Sequence, residues 1–279
     1  MTGPLVDAAW LEQHLGDPGL VVLDATLFLP NEARDAEAEF AAGHIPGAQF
    51  FDINAFADPD ADLPHMVPAA GRFARLAGAL GIGGHSLVVC YDQRGLFSAA
   101  RAWWLLRLFG HERAAVLDGG LPAWRAAGGD VEDGEPRPAA AATFRPVLHA
   151  ARLRGISDLL GNLHSRAELV LDARPAGRFD ASVPEPRPGM RGGHIPGAGS
   201  LPFTELLTPE HTLLPPDQLR RRLLAAGVDG SRNVVTSCGS GVTACVLTLA
   251  MAVAGLPEGA VYDGSWTEWG GRPDTPVET

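Results

Sequence analysis

Four blocks of this sequence recur in the same order almost 150 residues further along the chain, which limits its possible folds more than any other feature. The six residues Gly-His-Ile-Pro-Gly-Ala at 43–48 return at 193–198, and the apolar run ending in Asp-Ala at 20–25 returns at 168–173. The Val-Val pair at 88–89 returns at 234–235. The Asp-Gly segment followed by Trp124 has a counterpart followed by Trp269. Because the period is far longer than the roughly 20–50 residues of a solenoid, the pattern indicates two copies of one domain.

The repeat divides the chain into a first domain, residues 1–128, and a second, residues 146–279, with a linker at 129–145. The total of 279 residues fits two domains of ordinary size. The predicted linker is rich in glycine, proline and acidic residues and has no apolar periodicity, which is typical of a connecting segment.

Within each copy, short apolar runs alternate with helical patterns, which is typical of an α/β fold with a parallel sheet flanked by helices. Buried strands are predicted at 20–23, 87–90, 115–117, 169–171, 234–236 and 260–262, and helices at 99–109 and 243–254. Ligands of such sheets bind where the carboxyl ends of strands lead into helices. We therefore expect functional residues in the loops that follow 87–90 and 234–236.

Composition excludes several classes of function. With 22 basic and 33 acidic residues the net charge is −11, so nucleic acid and anionic membrane surfaces are unfavourable partners. The most apolar window, 244–256, is too short to span a bilayer, and the first residues lack the pattern of a signal peptide. Three cysteines do not make a disulfide framework. We expect a soluble protein of the reducing cytoplasm.

The loop after the strand at 234–236 carries the strongest chemical signal. Cys238 follows that strand directly, and the Gly-Ser-Gly-Val-Thr segment, Gly239, Ser240, Gly241, Val242 and Thr243, leads into a helix. Glycines let backbone N–H groups turn inward, and a helix N-terminus adds partial positive charge, so this loop can cradle an anion. Such a cradle favours the thiolate, so Cys238 is interpreted as a nucleophile. The alternative is a small buried apolar side chain, the role that we assign to Cys90 and Cys245.

The repeat supplies an internal comparison for this loop. Aligning the two Val-Val pairs places Asp92 where Cys238 stands, so the first domain is predicted to lack the nucleophile and to support the second. A cysteine phosphatase needs an arginine at the sixth position after its nucleophile, but that position holds Ala244 and the loop contains no cation. Sulfur transfer needs only the thiolate, the cradle and a donor-binding site.

The paired Gly-His-Ile-Pro-Gly-Ala blocks, the Asp-Gly-Ser-Trp segment and the Cys-Gly-Ser-Gly-Val-Thr-Ala loop resemble the rhodanese superfamily, over roughly residues 5–272. More narrowly, the chain resembles the members that use 3-mercaptopyruvate. The resemblance implies a persulfide on Cys238, cradled by residues 239–243, with release of pyruvate. It implies a thiol, a thioredoxin-like protein or cyanide as acceptor, and neither a metal nor an organic cofactor.

Two alternatives stay open. A thiosulfate:cyanide sulfurtransferase is disfavoured because Gly239 and Ser240 are uncharged where thiosulfate-using members carry basic residues. A non-catalytic persulfide-sensing or scaffold protein is the second alternative.

The resemblance also assigns roles outside the loop. Arg178, in a Gly-Arg-Phe segment, and Arg187, in a Glu-Pro-Arg segment, are expected to hold the carboxylate and carbonyl of the donor. Ser240 and His65 are expected to form a proton relay, which would place the site between the two predicted domains. Asn54 stands where some members have an acidic residue that orients the histidine. Asparagine can accept a hydrogen bond from imidazole but cannot stabilise its charged form.

Several other polar residues are expected to be structural. The paired histidines of the repeated block and the paired aspartates at the strand ends occur in both copies, with and without the nucleophile. Two further arginines match no substrate-binding segment. These residues are His44, His194, Asp24, Asp172, Arg174 and Arg191.

Overall fold

The computed structural model describes residues 3–279, which divide into two compact units. Unit 1 comprises 3–59, Val67–His149 and Pro209–Leu213, and unit 2 comprises the remaining described residues, among them Asp60–Met66. The segment 129–145 lies within unit 1. The predicted boundaries of the homologous domains, which were drawn from the repeat and not from contacts, stay a prediction.

Unit 1 contains one five-stranded parallel sheet with the strand order β1-β5-β4-β2-β3. Its strands are β1 (Leu5–Val6), β2 (Leu20–Asp24), β3 (Gln49–Phe50), β4 (Leu87–Tyr91) and β5 (Ala114–Leu117). Its helices are α1 (Ala8–His14), α2 (Ala36–Ala42), α3 (Ala70–Ala79), α4 (Ala99–Leu108) and α5 (Gly120–Ala126).

Unit 2 repeats this sheet with the order β6-β10-β9-β7-β8, again wholly parallel. Its strands are β6 (Leu153–Arg154), β7 (Glu168–Asp172), β8 (Gly199–Ser200), β9 (Asn233–Ser237) and β10 (Ala260–Tyr262). Its helices are α6 (Ile156–Ser165), α7 (Ala176–Phe179), α8 (Pro216–Ala225), α9 (Ala244–Val253) and α10 (Ser265–Trp269), with 3₁₀ turns at Ala150–Arg152 and Phe203–Leu206. The predicted α/β fold with two parallel sheets is confirmed.

The sequence explains why these elements form. The central strands are short runs of branched apolar residues, which suit a sheet that is covered on both faces. Helix α9 is apolar on every side and is almost wholly buried. A helix that is apolar all round is expected to be covered by other elements on every side. Helix α8 is amphipathic, with Pro216 in its first turn and an apolar stripe that buries Leu219 and Leu223. None of the helices formed by residues 3–279 combines the length and apolar character that a membrane span requires.

The sheet of unit 2 has its switch point between β7 and β9. From β7 the chain moves outward to β8, and it returns to the other side of β7 to form β9. Open α/β sheets bind ligands in the crevice at such a point, outside the carboxyl ends of the strands. Asp172 is paired in register with Ser237, so the residues that follow β7 and β9 emerge side by side.

The repeated Gly-His-Ile-Pro-Gly-Ala block makes the same contacts in both units. His44 stacks on Phe40 with its Nδ1 2.8 Å from the Phe40 carbonyl oxygen, and its backbone pairs with Glu132. His194 stacks on Phe179 with its Nδ1 2.9 Å from the Phe179 carbonyl oxygen, and its backbone pairs with Glu278. In unit 2 this contact fixes the last residue of α7, one position after Arg178.

Candidate active site

Cys238 lies at the carboxyl end of the central strand β9 and is 2% exposed. The loop Gly239–Thr243 follows it and leads into α9, with Gly241 in the left-handed region at φ +76°. All three cysteines are free thiols. Cys90 lies inside β4, where burial raises the pKa of its thiol, and the Cys245 Sγ donates to the Gly241 carbonyl oxygen at 3.3 Å. Of the three, only Cys238 heads a loop at the switch point.

The start of α10 holds the backbone of Cys238. The Cys238 N–H donates to Ser265 Oγ at 3.2 Å, and the Trp266 N–H donates to the Cys238 carbonyl oxygen at 2.9 Å. Ser265 itself donates to the Tyr262 carbonyl oxygen and sits in the left-handed region at φ 48°, which disfavours residues other than glycine. No sequence pattern indicated this role, although Ser265 follows the Asp-Gly pair of one of the repeated blocks.

The equivalent loop of unit 1 contains an anion within a cradle of amides. One carboxylate oxygen of Asp92, Oδ2, accepts from the N–H groups of Phe97, Ser98 and Ala99 at 2.8, 2.8 and 2.9 Å. The other, Oδ1, accepts from the Arg94 N–H at 2.9 Å. Asp92 is fully buried. Four backbone N–H groups of this loop therefore bind a buried carboxylate.

His65 and Ser240 lie together in unit 2. The His65 Nδ1 is 3.0 Å from Ser240 Oγ, both side chains are buried, and His65 is in the left-handed region at φ 64°. His65 belongs to the short segment Asp60–Met66, which packs with unit 2 although it precedes most of unit 1 in the chain. Asn54 is exposed in unit 1, and its backbone N–H donates to Asp52.

Arg178 projects from α7 toward the cysteine loop. A Cβ atom built on Gly239 would lie 3.2 Å from the Arg178 Nη2, so the two residues are neighbours. The Arg178 guanidinium pairs with the carboxylate of Glu185 through Nε, at 3.1 Å to each oxygen, and through Nη2. Glu185 is the partner that sequence reasoning missed, because its carboxylate is buried within a proline-rich segment that reads as exposed.

A second arginine extends this pair into a network. Arg174 donates to Glu185 at 2.7 Å and to Asp172 at 2.7 Å, and its guanidinium lies over the Trp266 ring at 4.2 Å. Arg174 is almost completely buried. It therefore anchors Glu185 to the end of β7.

Arg191 has a different role. It donates to the carbonyl oxygens of Trp269, Gly270 and Thr275 and so holds the C-terminal segment.

Arg187 lies close to Cys238 and, unlike Arg178, has no ion-pair partner among residues 3–279. None of the ion pairs and side-chain hydrogen bonds found within residues 3–279 involves Arg187. Burial lowers the pKa of its guanidinium, while the charges of Cys238 and Glu185 act in the opposite direction. A cleft beside the loop is lined by both arginines, Glu185, Pro186, Met190, Gly239, Trp266 and Thr267. It therefore combines hydrogen-bond donors and positive charge next to a cysteine.

Residues 3–279 contain no cluster of three histidine, cysteine or acidic groups able to hold a metal ion. The family model for the rhodanese-like domain matches residues 7–127 and 156–272, most of both units. This chain belongs to the rhodanese family.

Other rhodanese-family proteins match over nearly the whole chain. The 3-mercaptopyruvate sulfurtransferase of Escherichia coli K12 is 43% identical over 274 residues, covering 98% of this chain and 97% of the relative. The thiosulfate/3-mercaptopyruvate sulfurtransferase 1 of Arabidopsis thaliana is 40% identical over 296 residues, covering 99% and 78%. The crystal structure of SseA from E. coli, a 3-mercaptopyruvate sulfotransferase with the rhodanese fold, superposes with a TM-score of 0.86 at 39% identity, covering 95% and 99%.

Proposed function

We propose that this rhodanese-family protein is a sulfurtransferase that takes sulfur from 3-mercaptopyruvate and passes it to a thiol, a thioredoxin-like protein or cyanide through a persulfide on Cys238. The observation that carries the proposal is the position of Cys238 at the switch point, with two arginines lining the cleft beside its loop. The names of the relatives agree with it. The proposal involves no metal and no organic cofactor.

The first half-reaction transfers one sulfur atom. The Cys238 thiolate attacks the sulfur of the donor, a sulfur–sulfur bond forms, and the carbon–sulfur bond breaks with its electron pair passing to the enolate of pyruvate. The proton of the donor thiol, relayed through Ser240 and His65, ends on the methyl carbon of pyruvate. The hydrogen-bond distance between these two side chains supports the relay.

Arg178 and Arg187 are proposed to hold the donor by its carbonyl and carboxylate groups. Charge-assisted hydrogen bonds from guanidinium to carboxylate are short, strong and oriented, so they can aim the donor sulfur at Cys238. The cleft has room for about one water molecule, so binding a three-carbon donor must widen it.

The loop Gly239–Thr243 is proposed to cradle the persulfide until an acceptor removes the sulfur. The support comes from unit 1, where the equivalent loop binds the Asp92 carboxylate through backbone amides. In the loop of unit 2, a persulfide anion on Cys238 carries its charge at the position that corresponds to the Asp92 carboxylate. The cradle lowers the free energy of that intermediate without fixing the identity of the acceptor.

Thiosulfate is the second candidate donor, because the Arabidopsis relative is named for both thiosulfate and 3-mercaptopyruvate. The uncharged pair Gly239 and Ser240 argues against a dianion at the loop.

Three free thiols suit a reducing compartment, and we propose the cytoplasm as the place of action.

The proposal is tested by comparing two donors with cyanide as the common acceptor. Pyruvate release from 3-mercaptopyruvate and thiocyanate formation from thiosulfate are measured on the same preparation, with the Cys238→Ser variant as control. We expect a strong preference for mercaptopyruvate and no turnover by the variant. A preference for thiosulfate would overturn the donor, and single uptake of sulfur without turnover would favour the sensor.

A further inference from the structure

The two arginines of the cleft differ in whether their charge is balanced. Arg178 pairs with Glu185 through two of its nitrogens, and the Glu185 side chain is only 4% exposed. Arg187 has no such partner among the described residues. The Glu185 carboxylate therefore removes one positive charge from a site that otherwise offers two.

The surrounding network fixes this balance. Asp172, Arg174, Glu185 and Arg178 form a chain of alternating charge whose four formal charges sum to zero. Arg174 is held by the Gly193 carbonyl oxygen and stacks on Trp266, so Glu185 cannot follow Arg178 if the latter moves toward a donor. In a partly buried cleft an additional charge is weakly screened, so one unit of net charge alters anion affinity strongly.

We propose that Glu185 sets the charge of the donor that this site accepts, by leaving Arg187 as the single unbalanced cation among the described residues that line the cleft. The site then matches a donor with one negative charge and disfavours a dianion. Arg187 faces the carboxylate, and Arg178, with its charge neutralised, donates a hydrogen bond to the uncharged carbonyl oxygen. This inference rests on the proposed function for the identity of the donor, but its charge selectivity concerns the site itself.

Two non-reacting anions of similar shape separate charge from chemistry, namely methanesulfonate with one charge and sulfate with two. Each is tested for its ability to protect Cys238 from alkylation by iodoacetamide, a neutral reagent, at constant ionic strength. Peptide mass spectrometry distinguishes alkylation of Cys238 from alkylation of Cys90 and Cys245. The readout requires no sulfur transfer, so it stands even if 3-mercaptopyruvate proves not to be the donor.

For the unaltered protein we expect methanesulfonate to protect at a concentration no higher than sulfate does. In the Glu185→Gln variant we expect the half-protecting concentration of sulfate to fall at least fivefold. Because a pure charge effect scales with the charge of the ligand, the fall for methanesulfonate should be about the square root of that factor. If Glu185 merely positions Arg178, the variant will bind both anions more weakly, and the proposal is wrong.

A second variant changes the charge in the opposite direction. Arg178→Gln leaves Glu185 paired with Arg174 and lowers the net charge of the cleft by one, so protection by sulfate should weaken more than protection by methanesulfonate. If Glu185→Gln does not fold, this variant and the unaltered protein still decide the matter. A preference of the unaltered protein for sulfate overturns the proposal, whereas failure of mercaptopyruvate turnover with intact charge selectivity overturns only the proposed function.

Discussion

Replacing Asp92 with asparagine should destabilise unit 1 strongly although the two side chains have the same shape. The carboxylate accepts four backbone N–H groups, three at Oδ2 and one at Oδ1, with distances of 2.8 to 2.9 Å. Asparagine has one acceptor oxygen, so either the Arg94 N–H or the three amides of residues 97–99 must face an NH₂ group. The remaining bonds lose the assistance of the negative charge.

The magnitude follows from these bonds. A hydrogen bond to a charged group contributes roughly 1.5–3 kcal/mol and a neutral one about 1, and an unsatisfied buried donor costs about 1–3. At the low end of these ranges, three weakened bonds and one unsatisfied N–H give a loss of about 3 kcal/mol. For a protein of this size that lowers the melting temperature by roughly 6–12 °C.

Differential scanning calorimetry measures this loss, with Asp229→Asn as the matched control. Asp229 also accepts a backbone N–H, from Ser231, but it is exposed, so its replacement should leave the midpoint nearly unchanged. Sulfur transfer by Asp92→Asn at 25 °C should remain, since the nucleophile lies in unit 2. An unchanged midpoint would refute the account of the loop as an anion cradle.

Three further predictions concern single residues. Burial raises the pKa of Asp24 to about 6 from 3.8, so the carboxyl binds protons more tightly in the folded than in the unfolded chain. The free energy of unfolding should therefore fall by about 3 kcal/mol as the pH rises from about 4 to 6. Urea unfolding of Asp24→Asn should lack this pH-dependent loss. Arg187→Ala should raise the KM for 3-mercaptopyruvate about 10–100-fold, and steady-state kinetics with an unchanged KM would remove it from the site. Ser240→Ala or His65→Gln should lower kcat by roughly 10²–10⁴-fold with little change in KM, and a full kcat in pyruvate-release assays would rule out the relay.

The central strands of both sheets could be predicted from the sequence because each is a continuous apolar run. The apolar runs at 20–23, 87–90 and 234–236 match β2, β4 and β9 to within one residue at each end. Such short runs predict strands without tertiary context, since a strand covered on both faces is apolar along its whole length. The two-residue strands β3 and β8 carry no such pattern and exist only through pairing with their neighbours.

The site was predicted less completely because its contacts link distant segments. The loop after β9 identified Cys238, but the packing of Asp60–Met66 with unit 2, which brings His65 to Ser240, follows from tertiary contacts that no periodicity encodes. Glu185 was missed for the same reason, since a charged residue between prolines reads as solvent-exposed. Its burial depends on Arg174, which reaches it from the end of β7.

Intact-protein mass spectrometry shows whether Cys238 receives the donor sulfur. The reduced protein is mixed with one equivalent of 3-mercaptopyruvate without acceptor, and the released pyruvate is measured in parallel. We expect one added sulfur atom, localised to Cys238 and matched by one equivalent of pyruvate, with neither product in Cys238→Ser. Pyruvate release without added sulfur on Cys238, or sulfur on Cys90 or Cys245, would contradict it.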